Sequence, residues 1–291
     1  MIIIDLNQVI ISSLMAQLGN NASGVIEEDL LRHMVLNCIR SYRNKFSSEY
    51  GELVIACDGK KSWRRDVYPY YKAHRKKLRE ESQLDWNSVF TSLNAIRDEL
   101  KEYFPYTHIH VDGAEADDVI GTLCKEYGAL LGPGTGPILI LSGDKDFVQL
   151  QKYSNVSQYD PVRKKWIKHS QPELFLAEHI MKGDRGDGVP NISSKDDCFI
   201  NGRQTPLRNS TMQKIINANL KKPISEWTFE DQTHDRNFKR NRTLVDLDCT
   251  PADIRINILE QYAVQPNNRN KLFGYFIEKK LKNLMEHIGE F

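Results

Sequence analysis

Short apolar runs that end in an aspartate constrain this chain most, because they determine the kind of sheet that it can form. These runs are residues 2–4 before Asp5, residues 53–57 before Asp58, and residues 138–141 before Ser142-Gly143-Asp144. Unbroken apolar runs of this length indicate strands that are covered on both faces. Between the strands, apolar residues recur at helical spacing around residues 31–42 and 86–103. We therefore predict an α/β fold with a mostly parallel central sheet flanked by helices.

The stretch Ala114-Glu115-Ala116-Asp117-Asp118 places three carboxylates within four residues. It follows the alternating run at residues 107–111, which predicts a further strand, and it opens a helical pattern. Acids in a first helical turn are favoured by the helix dipole, so helix capping is one interpretation. Like charges this close repel each other unless a cation lies among them, so a metal site is the other. The local sequence alone leaves both open.

Acids follow four strands of the predicted sheet, each time at the same end. They are Asp5; Asp58; Glu115, Asp117 and Asp118; and Asp144 with Asp146. The carboxyl ends of parallel strands form one edge, where such sheets bind their ligands. A lone aspartate at a strand end is usually a turn or cap residue, but four such positions on one edge indicate a site. Carboxylates without histidine or cysteine favour Mg²⁺ or Mn²⁺ over zinc, and the number of acids predicts two ions.

Basic residues are concentrated in residues 60–79, although the net charge of the 291-residue chain is only +1. This segment holds nine lysines and arginines against one acid, Asp66. Such a stripe suits a protein that binds a polyanion, and a solvated helix face is the alternative. The aromatic residues Trp63, Tyr68, Tyr70 and Tyr71 either stack on bases or pack the segment against the body of the protein.

The second half of the chain is richer in helices and polar loops. Residues 132–137 are rich in glycine and proline and predict a loop. A helix through residues 174–181 runs into a glycine-rich turn that carries Asp184 and Asp187, which either form a plain turn or reach the acidic edge. Residues 193–241 read as polar and irregular, with one helix at 211–220. Residues 251–262 and 271–288 predict two closing amphipathic helices.

Composition excludes several classes of protein. Apolar residues make up 40% and charged residues 27% of the chain, as in globular proteins. No apolar run approaches the roughly 20 residues of a membrane span, and no signal peptide precedes the first strand, so we expect a cytoplasmic protein. The five scattered cysteines indicate reduced, mostly buried thiols rather than a zinc site.

Taken in order, the motifs of this chain resemble those of the 5′-nuclease (flap endonuclease) superfamily, most closely its ribonuclease H branch from T-even bacteriophages. The motifs are Ile4-Asp5, Asp58-Gly59, Trp63-Arg64-Arg65-Asp66, Tyr70-Tyr71-Lys72 with Arg75, Glu115-Ala116-Asp117-Asp118, Gly143-Asp144-Lys145-Asp146-Phe147, Lys182-Gly183-Asp184 with Asp187, and a closing Glu290-Phe291. The match runs nearly from end to end. It implies a PIN/5′-nuclease-like fold and a metal-dependent 5′→3′ exonuclease and flap endonuclease with ribonuclease H activity. Such an enzyme removes lagging-strand primers during replication.

The same resemblance implies roles for individual residues. The acids expected around a first ion are Asp5, Asp58, Glu115, Asp117, Asp118 and Asp144. Those expected to hold a second ion, mostly through water, are Asp146, Asp184 and Asp187. Lys72 and Arg75 correspond to the basic pair over the scissile phosphate and, with Asp117, are the expected catalytic residues. The expected nucleic-acid-binding residues are Lys60, Lys61, Arg64, Arg65, Tyr71, Lys72, Arg75, Lys76, Lys182 and Arg185. The cofactors would be two Mg²⁺ ions, with Mn²⁺ as a substitute.

The resemblance also implies an organisation and partners. Residues 1–160 would form the nuclease core, with a mobile basic arch at about 60–83, and residues 161–291 a smaller helical region that binds duplex. The turn at residues 183–190 would belong to a helix–three-turn–helix element. Cellular relatives continue this element with a Gly-Ile-Gly hairpin, which this chain lacks at residues 191–197. The resemblance therefore does not extend to potassium-assisted binding of the duplex. Expected partners of a monomer are RNA–DNA hybrid, flapped or nicked duplex DNA, a single-strand-binding protein and a sliding clamp.

Three other functions compete with the nuclease. A haloacid-dehalogenase-type phosphotransferase needs Asp-x-Asp after the first strand, whereas this chain has Asp5-Leu6-Asn7. A PIN-type endoribonuclease shares the acidic edge, but it lacks the basic arch and the extra helical region. A catalytically silent nucleic-acid-binding scaffold would be expected to have lost acids that this chain retains.

Overall fold

The computed structural model describes residues 1–19, 24–128, 136–264, 266 and 269–291. Its centre is a six-stranded sheet with the order β3-β2-β1-β4-β5-β6. The strands are β1 (Ile2–Asp5), β2 (Leu53–Cys57), β3 (Thr107–His110), β4 (Ile138–Leu141), β5 (Val156–Asp160) and β6 (Lys165–Ile167). All neighbours pair in parallel except β5 and β6, which are antiparallel. The predicted α/β fold with a mostly parallel sheet is therefore confirmed.

Thirteen α-helices surround this sheet in the part of the chain that the structure describes. They are α1 (Leu6–Leu18), α2 (Glu28–Tyr50), α3 (Arg64–Val67), α4 (Arg75–Glu80), α5 (Trp86–Tyr103), α6 (Ala116–Gly128), α7 (Pro172–Lys182), α8 (Cys198–Asn201), α9 (Asn209–Asn219), α10 (Gln232–Val245), α11 (Ala252–Ala263), α12 (Leu272–Glu278) and α13 (Lys282–Met285). A 3₁₀-helix at Lys145–Lys152 follows β4. Within the described ranges, no helix combines the length and apolar character needed to cross a membrane.

Each face of the sheet is covered by its own set of helices. Ile2 and Ile4 point into a cluster with α1, α2, α5, α12 and α13, whereas Ile3 points into a cluster with α6 and α11. Successive residues of a strand face opposite sides, so a strand covered on both sides has to be apolar throughout. This explains why the runs before Asp5, Asp58 and Asp144 show no alternation.

The helices α7, α9 and α10 form a third apolar cluster beside the sheet edge, and Tyr68 and Tyr71 pack into it. The chain after residue 160 thus supplies this cluster and, through α11 to α13, both faces of the sheet. The division into units at residue 160 and the mobility of the basic arch remain predictions. The arch segment contains α3, α4 and a turn between them in which Lys72 has a positive φ of 55°.

Several local predictions need correction. Residues 193–241 are not irregular with one helix, because α10 occupies residues 232–245 and contributes Phe238 and Leu244 to the third cluster. The predicted helix at 271–288 is broken between α12 and α13, where Lys280 has a positive φ of 54° and the buried Leu281 follows. The strands β5 and β6 were not predicted. Of the predicted loop at 132–137, only Gly136 and Pro137 lie within the described residues.

Candidate active site

The predicted acids meet in a cleft of about 520 Å³ at the carboxyl edge of the sheet. In this sheet, β2 and β3 lie on one side of β1, and β4 to β6 lie on the other. The strand order therefore reverses between β1 and β4, which are neighbours. Ligands of open α/β sheets bind at this switch point. Ten of the predicted site residues line the cleft: Asp5, Asp58, Lys72, Arg75, Glu115, Asp117, Asp144, Asp146, Asp184 and Asp187.

The strand-end acids are fixed by backbone groups of the elements that follow them. Asp5 caps α1 by accepting from the Gln8 N–H at 3.1 Å, and Asp144 accepts from the Asp146 N–H at 3.0 Å. Asp58 accepts from the Ala116 N–H at 2.9 Å, which ties the start of α6 to the end of β2. Capping and site formation are therefore not exclusive, because Asp5, Asp58 and Asp144 accept these backbone hydrogen bonds and also line the cleft.

The Asp58-Gly59 motif has a steric cause. A Cβ atom on Gly59 would lie 1.9 Å from the carbonyl oxygen of Val111, so only glycine allows the loop after β2 to approach the loop after β3 this closely. This approach brings Asp58 next to the start of α6, where Glu115 precedes the helix and Asp117 lies in its first turn. The glycine therefore helps to assemble the acidic edge without contributing a side chain to it.

Asp118 does not belong to the cleft, and its predicted role as a metal ligand is wrong for this geometry. Its carboxylate is fully buried and receives two hydrogen bonds of 2.9 Å from the Arg64 guanidinium. Trp63 Nε1, the Glu115 N–H and Thr250 Oγ1 donate to the same two oxygens. These bonds occupy the carboxylate, so of the three clustered acids only Glu115 and Asp117 face the cleft.

Arg64 and Tyr71 are also misassigned as nucleic-acid-binding residues, because both side chains are only 2% exposed. Arg64 pairs with Asp118 and contacts Glu115 at 3.2 Å. The Tyr71 hydroxyl donates to Glu115 at 2.8 Å and to Asp187 at 2.7 Å. Among the aromatics of the basic segment, Tyr68 is buried as well and Trp63 binds Asp118. Packing rather than base stacking is therefore the role of these three aromatic side chains.

The glycine-rich turn after α7 carries the remaining acids to the cleft. Gly183 has a φ of 68°, and a Cβ there would lie 2.3 Å from the carbonyl oxygen of Val189. The turn is tied to the basic segment by a hydrogen bond of 2.8 Å from the Lys72 N–H to the Asp187 carbonyl. Of the two alternatives for Asp184 and Asp187, the structure supports the one in which they reach the acidic edge.

The predicted basic residues fall into separate groups. Lys72 Nζ lies 2.5 Å from Glu115 Oε1, and the Arg75 guanidinium donates to Asp187 Oδ1 at 2.6 Å, so this pair lines the cleft. Exposed positions outside the cleft lining are occupied by Lys61, Arg65, Lys76, Lys182 and Arg185. Lys60 lines a different cleft, together with Asp112 and Gln261.

Burial and crowding determine the charge state of the acids. Burial, with added repulsion from Asp58, raises the pKa of Asp5 well above its usual range. Burial and the neighbouring Asp146 raise the pKa of Asp144 to about 6, and burial with Asp144 raises that of Asp117. For Glu115, burial is outweighed by Lys72 and Arg64, which lower the pKa to about 2. The cleft therefore has a permanently charged rim at Glu115 and a centre that resists deprotonation.

The residues fit a divalent cation. The Asp117 carboxylate has no hydrogen-bond partner among the residues that the structure describes, and Asp5 and Asp144 face it with raised pKa values. A cation that lies between buried carboxylates offsets their mutual repulsion. Oxygen ligands of this kind select hard ions such as Mg²⁺ or Mn²⁺.

Sequence analysis missed several residues of the cleft. Asn7 donates to Asp58 at 2.9 Å, Gln8 contacts the Ser142 hydroxyl, and Lys145 pairs with Asp184 at 2.9 Å. It also missed His179, which does not line the cleft itself but has its Nε2 2.8 Å from Oδ1 of the cleft-lining Asp146. The predicted cluster contained no histidine. Helical spacing did place residue 179 one turn before Gly183, and this was the available sign that it lies near the acids.

Models of two protein families match this chain, and together they span it. The 5′–3′ exonuclease N-terminal resolvase-like domain matches residues 1–179, and the C-terminal domain of T4 RNase H matches residues 170–291. Ribonuclease H of Enterobacteria phage T4 is 35% identical over an alignment that covers 99% of this chain and 95% of that protein. Flap endonuclease Xni of a Shewanella species is 31% identical over 48% of this chain and 52% of its own length.

Solved structures of a bacteriophage T5 enzyme share the fold. The T5 flap endonuclease in a pseudo-enzyme–product complex with DNA and metal ions superposes with a TM-score of 0.63 and 17% identity. That match covers 90% of this chain and 99% of the other. A zinc-bound T5 5′-exonuclease gives the same values. At this identity the likeness concerns the fold alone.

Proposed function

The chain belongs to the 5′–3′ exonuclease family, in the branch that carries the T4 RNase H C-terminal domain, and on this basis we propose that it is a divalent-metal-dependent 5′→3′ exonuclease and flap endonuclease with ribonuclease H activity. It would hydrolyse phosphodiesters from the 5′ end of RNA–DNA and DNA duplexes. The observation that carries this proposal is the convergence of eight carboxylates and the Lys72–Arg75 pair in one cleft.

We propose that two divalent ions, Mg²⁺ with Mn²⁺ able to substitute, bind in this cleft. Asp5, Asp58, Glu115, Asp117 and Asp144 would hold the first, and Asp146, Asp184 and Asp187 would surround the second, with Asp118 left out of the predicted set. Bound together, such ions activate a water nucleophile and stabilise the leaving oxygen in displacements at phosphorus. The protein contributes carboxylates whose positions are fixed beforehand by helix caps and by the turn after α7.

Lys72 and Arg75 are the groups that would meet the scissile phosphate. Without substrate, both are held at the cleft by acids, Lys72 by Glu115 and Arg75 by Asp187. Their charges offset the repulsion between a phosphate and the surrounding carboxylates, and they favour the extra negative charge of the transition state. Burial alone would lower the pKa of Lys72, but the nearby Asp187 and Glu115 carboxylates raise it above its usual value. Lys72 therefore stays protonated and acts as a cation rather than as a general base.

Exposed basic residues of the segments that reach the cleft would bind the phosphate backbone. Lys61, Arg65 and Lys76 belong to the arch segment, and Lys182 and Arg185 flank the turn after α7. This arrangement supports RNA–DNA hybrid and flapped or nicked duplex DNA as substrates. Primer removal on the lagging strand, in the cytoplasm of a phage-infected host, is the biological role that we propose, with a single-strand-binding protein and a sliding clamp as possible partners.

Cleavage products distinguish this function from its rivals. RNA–DNA hybrid, nicked duplex and 5′-flap duplex, each labelled at the 5′ end, are incubated with the protein in Mg²⁺ or in EDTA. Short labelled products that disappear in EDTA are expected, and their yields rank the substrates. Binding of all three substrates without cleavage would instead identify a silent scaffold. A parallel incubation with single-stranded RNA tests the other rival, because its internal cleavage would indicate a PIN-type endoribonuclease.

A further inference from the structure

One edge of the acidic cleft differs in chemistry from the rest, because an imidazole lies against two of its carboxylates. His179 Nε2 lies 2.8 Å from Asp146 Oδ1 and 3.6 Å from Asp184 Oδ2. One ligand atom from each of these three residues falls within 4.8 Å of the others. In the ranges that the structure describes, no other set of three or more His, Cys, Asp or Glu residues comes as close together.

The three side chains are held by rigid elements. His179 lies in the last turn of α7, its side chain is 6% exposed, and its ring contacts that of Phe175 with centroids 5.9 Å apart. Asp146 lies in the 3₁₀-helix after β4, and Asp184 is fixed by accepting from the Asp187 N–H at 3.1 Å. A ligand set on such elements is positioned before an ion arrives.

Imidazole changes which ion this edge prefers. Mg²⁺ favours oxygen ligands and retains its own waters. First-row transition-metal ions bind a mixed nitrogen–oxygen site with an affinity that rises from Mn²⁺ to Co²⁺. Binding through Nε2 replaces the proton that this nitrogen shares with Asp146, and that proton passes to solvent. Lys145 Nζ also lies 2.9 Å from Asp184 Oδ2, but its side chain is 54% exposed and has room to move aside.

We propose that Asp146, His179 and Asp184 form a mixed imidazole–carboxylate site that selects a transition-metal ion such as Mn²⁺ or Co²⁺ over Mg²⁺. The oxygen-only acids Asp5, Asp117 and Asp144 form the neighbouring site for a hard ion. The two positions of the cleft therefore differ in metal preference. This inference rests on the proposed function only in that the cleft binds divalent ions.

Pulsed electron paramagnetic resonance of Mn²⁺ added to the metal-free protein, at one and two equivalents, tests the nitrogen ligand directly. Wild type is expected to show ¹⁴N coupling of a bound imidazole. His179→Gln retains a side-chain N–H that can donate to Asp146 but should lose the coupling. The matched control is His169→Gln, since His169 is an exposed histidine just before α7 that accepts from the Gln171 N–H. The control should keep the coupling.

Calorimetric titration gives the second readout. His179→Gln is expected to bind Mn²⁺ on the order of tenfold more weakly, with little change for Mg²⁺. Absence of ¹⁴N coupling in wild type, or coupling that persists in His179→Gln, would overturn the assignment, and the wild-type spectrum decides even if the variant fails to fold. Cleavage in Mg²⁺ without nitrogen coupling would remove this inference alone. Coupling without cleavage of any substrate would remove the nuclease proposal alone.

Discussion

Asp117 and Asp118 are adjacent in the chain, yet their carboxylates lie in opposite environments. Asp117 faces other acids, whereas Asp118 receives donors from Arg64, Trp63 and Thr250. Asp118→Asn should therefore destabilise the protein by about 3–5 kcal/mol, because the buried Arg64 charge loses its paired carboxylate and keeps only the longer contact with Glu115. Asp117→Asn should leave the stability of the metal-free protein unchanged or raise it, since it removes a repelling charge. Urea unfolding in EDTA measures both, and equal destabilisation by the two substitutions would refute this difference.

Asp144 should make the stability of the metal-free protein depend on pH. Its pKa is raised to about 6 by burial and by Asp146, so the folded state binds this proton more tightly than the unfolded state does. The resulting stability is present below the unfolded pKa, near 4, and is lost as the pH rises through about 6. In EDTA at pH 7.5, Asp144→Asn should therefore be more stable than wild type by about 1–3 kcal/mol.

The same argument predicts that this gain shrinks by pH 5, where wild-type Asp144 is mostly protonated. Asparagine keeps the oxygen that accepts from the Asp146 N–H, so the cap is preserved. Thermal unfolding at the two pH values, with and without Mg²⁺, provides the measurement. The added metal should stabilise wild type more at pH 7.5 than at pH 5. A gain for Asp144→Asn that is the same at both pH values would speak against a titrating site.

At the scale of single residues, the sequence predicted which acids lie on one edge of the sheet but not the direction in which each carboxylate points. Strand ends are readable from apolar runs, so Asp5, Asp58 and Asp144 could be placed on one edge. The partners of Asp118 are distant in sequence, and Thr250 belongs to the C-terminal half, so nothing local distinguishes Asp118 from Asp117. Tyr71 was likewise predicted to contact nucleic acid, because the residues of α7 and α10 that bury it are distant in sequence.

Among the elements, α10 holds the turn after α7 in place through two buried asparagines. Asn241 Nδ2 donates to the carbonyls of Ile180 and Pro190, and Asn237 Nδ2 donates to those of Ile192 and Ser194. Of these carbonyls, that of Pro190 also accepts from Arg240 at 3.2 Å, and the others depend on the amide for their side-chain donor. The segment that lacks the Gly-Ile-Gly hairpin is thus stabilised by side-chain amides.

Asn241→Ala should destabilise the protein by about 1–3 kcal/mol, because it removes the donor to the Ile180 carbonyl, weakens the bonding of the Pro190 carbonyl and opens a small cavity. The matched substitution Asn257→Ala, at an exposed position of α11, should change stability by less than about 0.5 kcal/mol. Chemical denaturation provides both values. A neutral Asn241→Ala would mean that the turn does not depend on these hydrogen bonds.

The buried asparagines also explain why α10 was missed. A helix is recognised by apolar residues at a spacing of three and four, and in α10 two of these positions are Asn237 and Asn241. α5 carries apolar residues at such positions, and its predicted range of 86–103 matches the structure. Element prediction therefore worked where burial is apolar and failed where burial is polar.

At the scale of the whole molecule, the last residue packs into the same hydrophobic cluster as the first strand. Phe291 is 1% exposed and contacts the rings of Phe104 and Phe276, with centroids 5.7 and 5.3 Å apart. Glu290 accepts from Asn44 at 2.6 Å. Phe291 is therefore part of the hydrophobic core.

Phe291→Ala should consequently cost about 3–5 kcal/mol, as other buried phenylalanines do. Phe273→Ala is the matched control, because Phe273 on α12 is 58% exposed and should contribute little to stability. Thermal unfolding compares the two variants. If Phe291→Ala were as stable as Phe273→Ala, the terminal residue would not be part of the core in solution.

The cleavage rate as a function of Mg²⁺ concentration, measured on a 5′-labelled RNA–DNA hybrid, tests most directly whether the acidic cleft is a metal-dependent nuclease. Wild type should release short 5′ fragments only when metal is present. Asp117→Asn should be slower by about 100-fold or more at saturating Mg²⁺, equivalent to about 2.7 kcal/mol, while Asp253→Asn, at an exposed acid of α11, should match wild type. Equal cleavage by Asp117→Asn, or wild-type cleavage that persists in EDTA, would contradict the account.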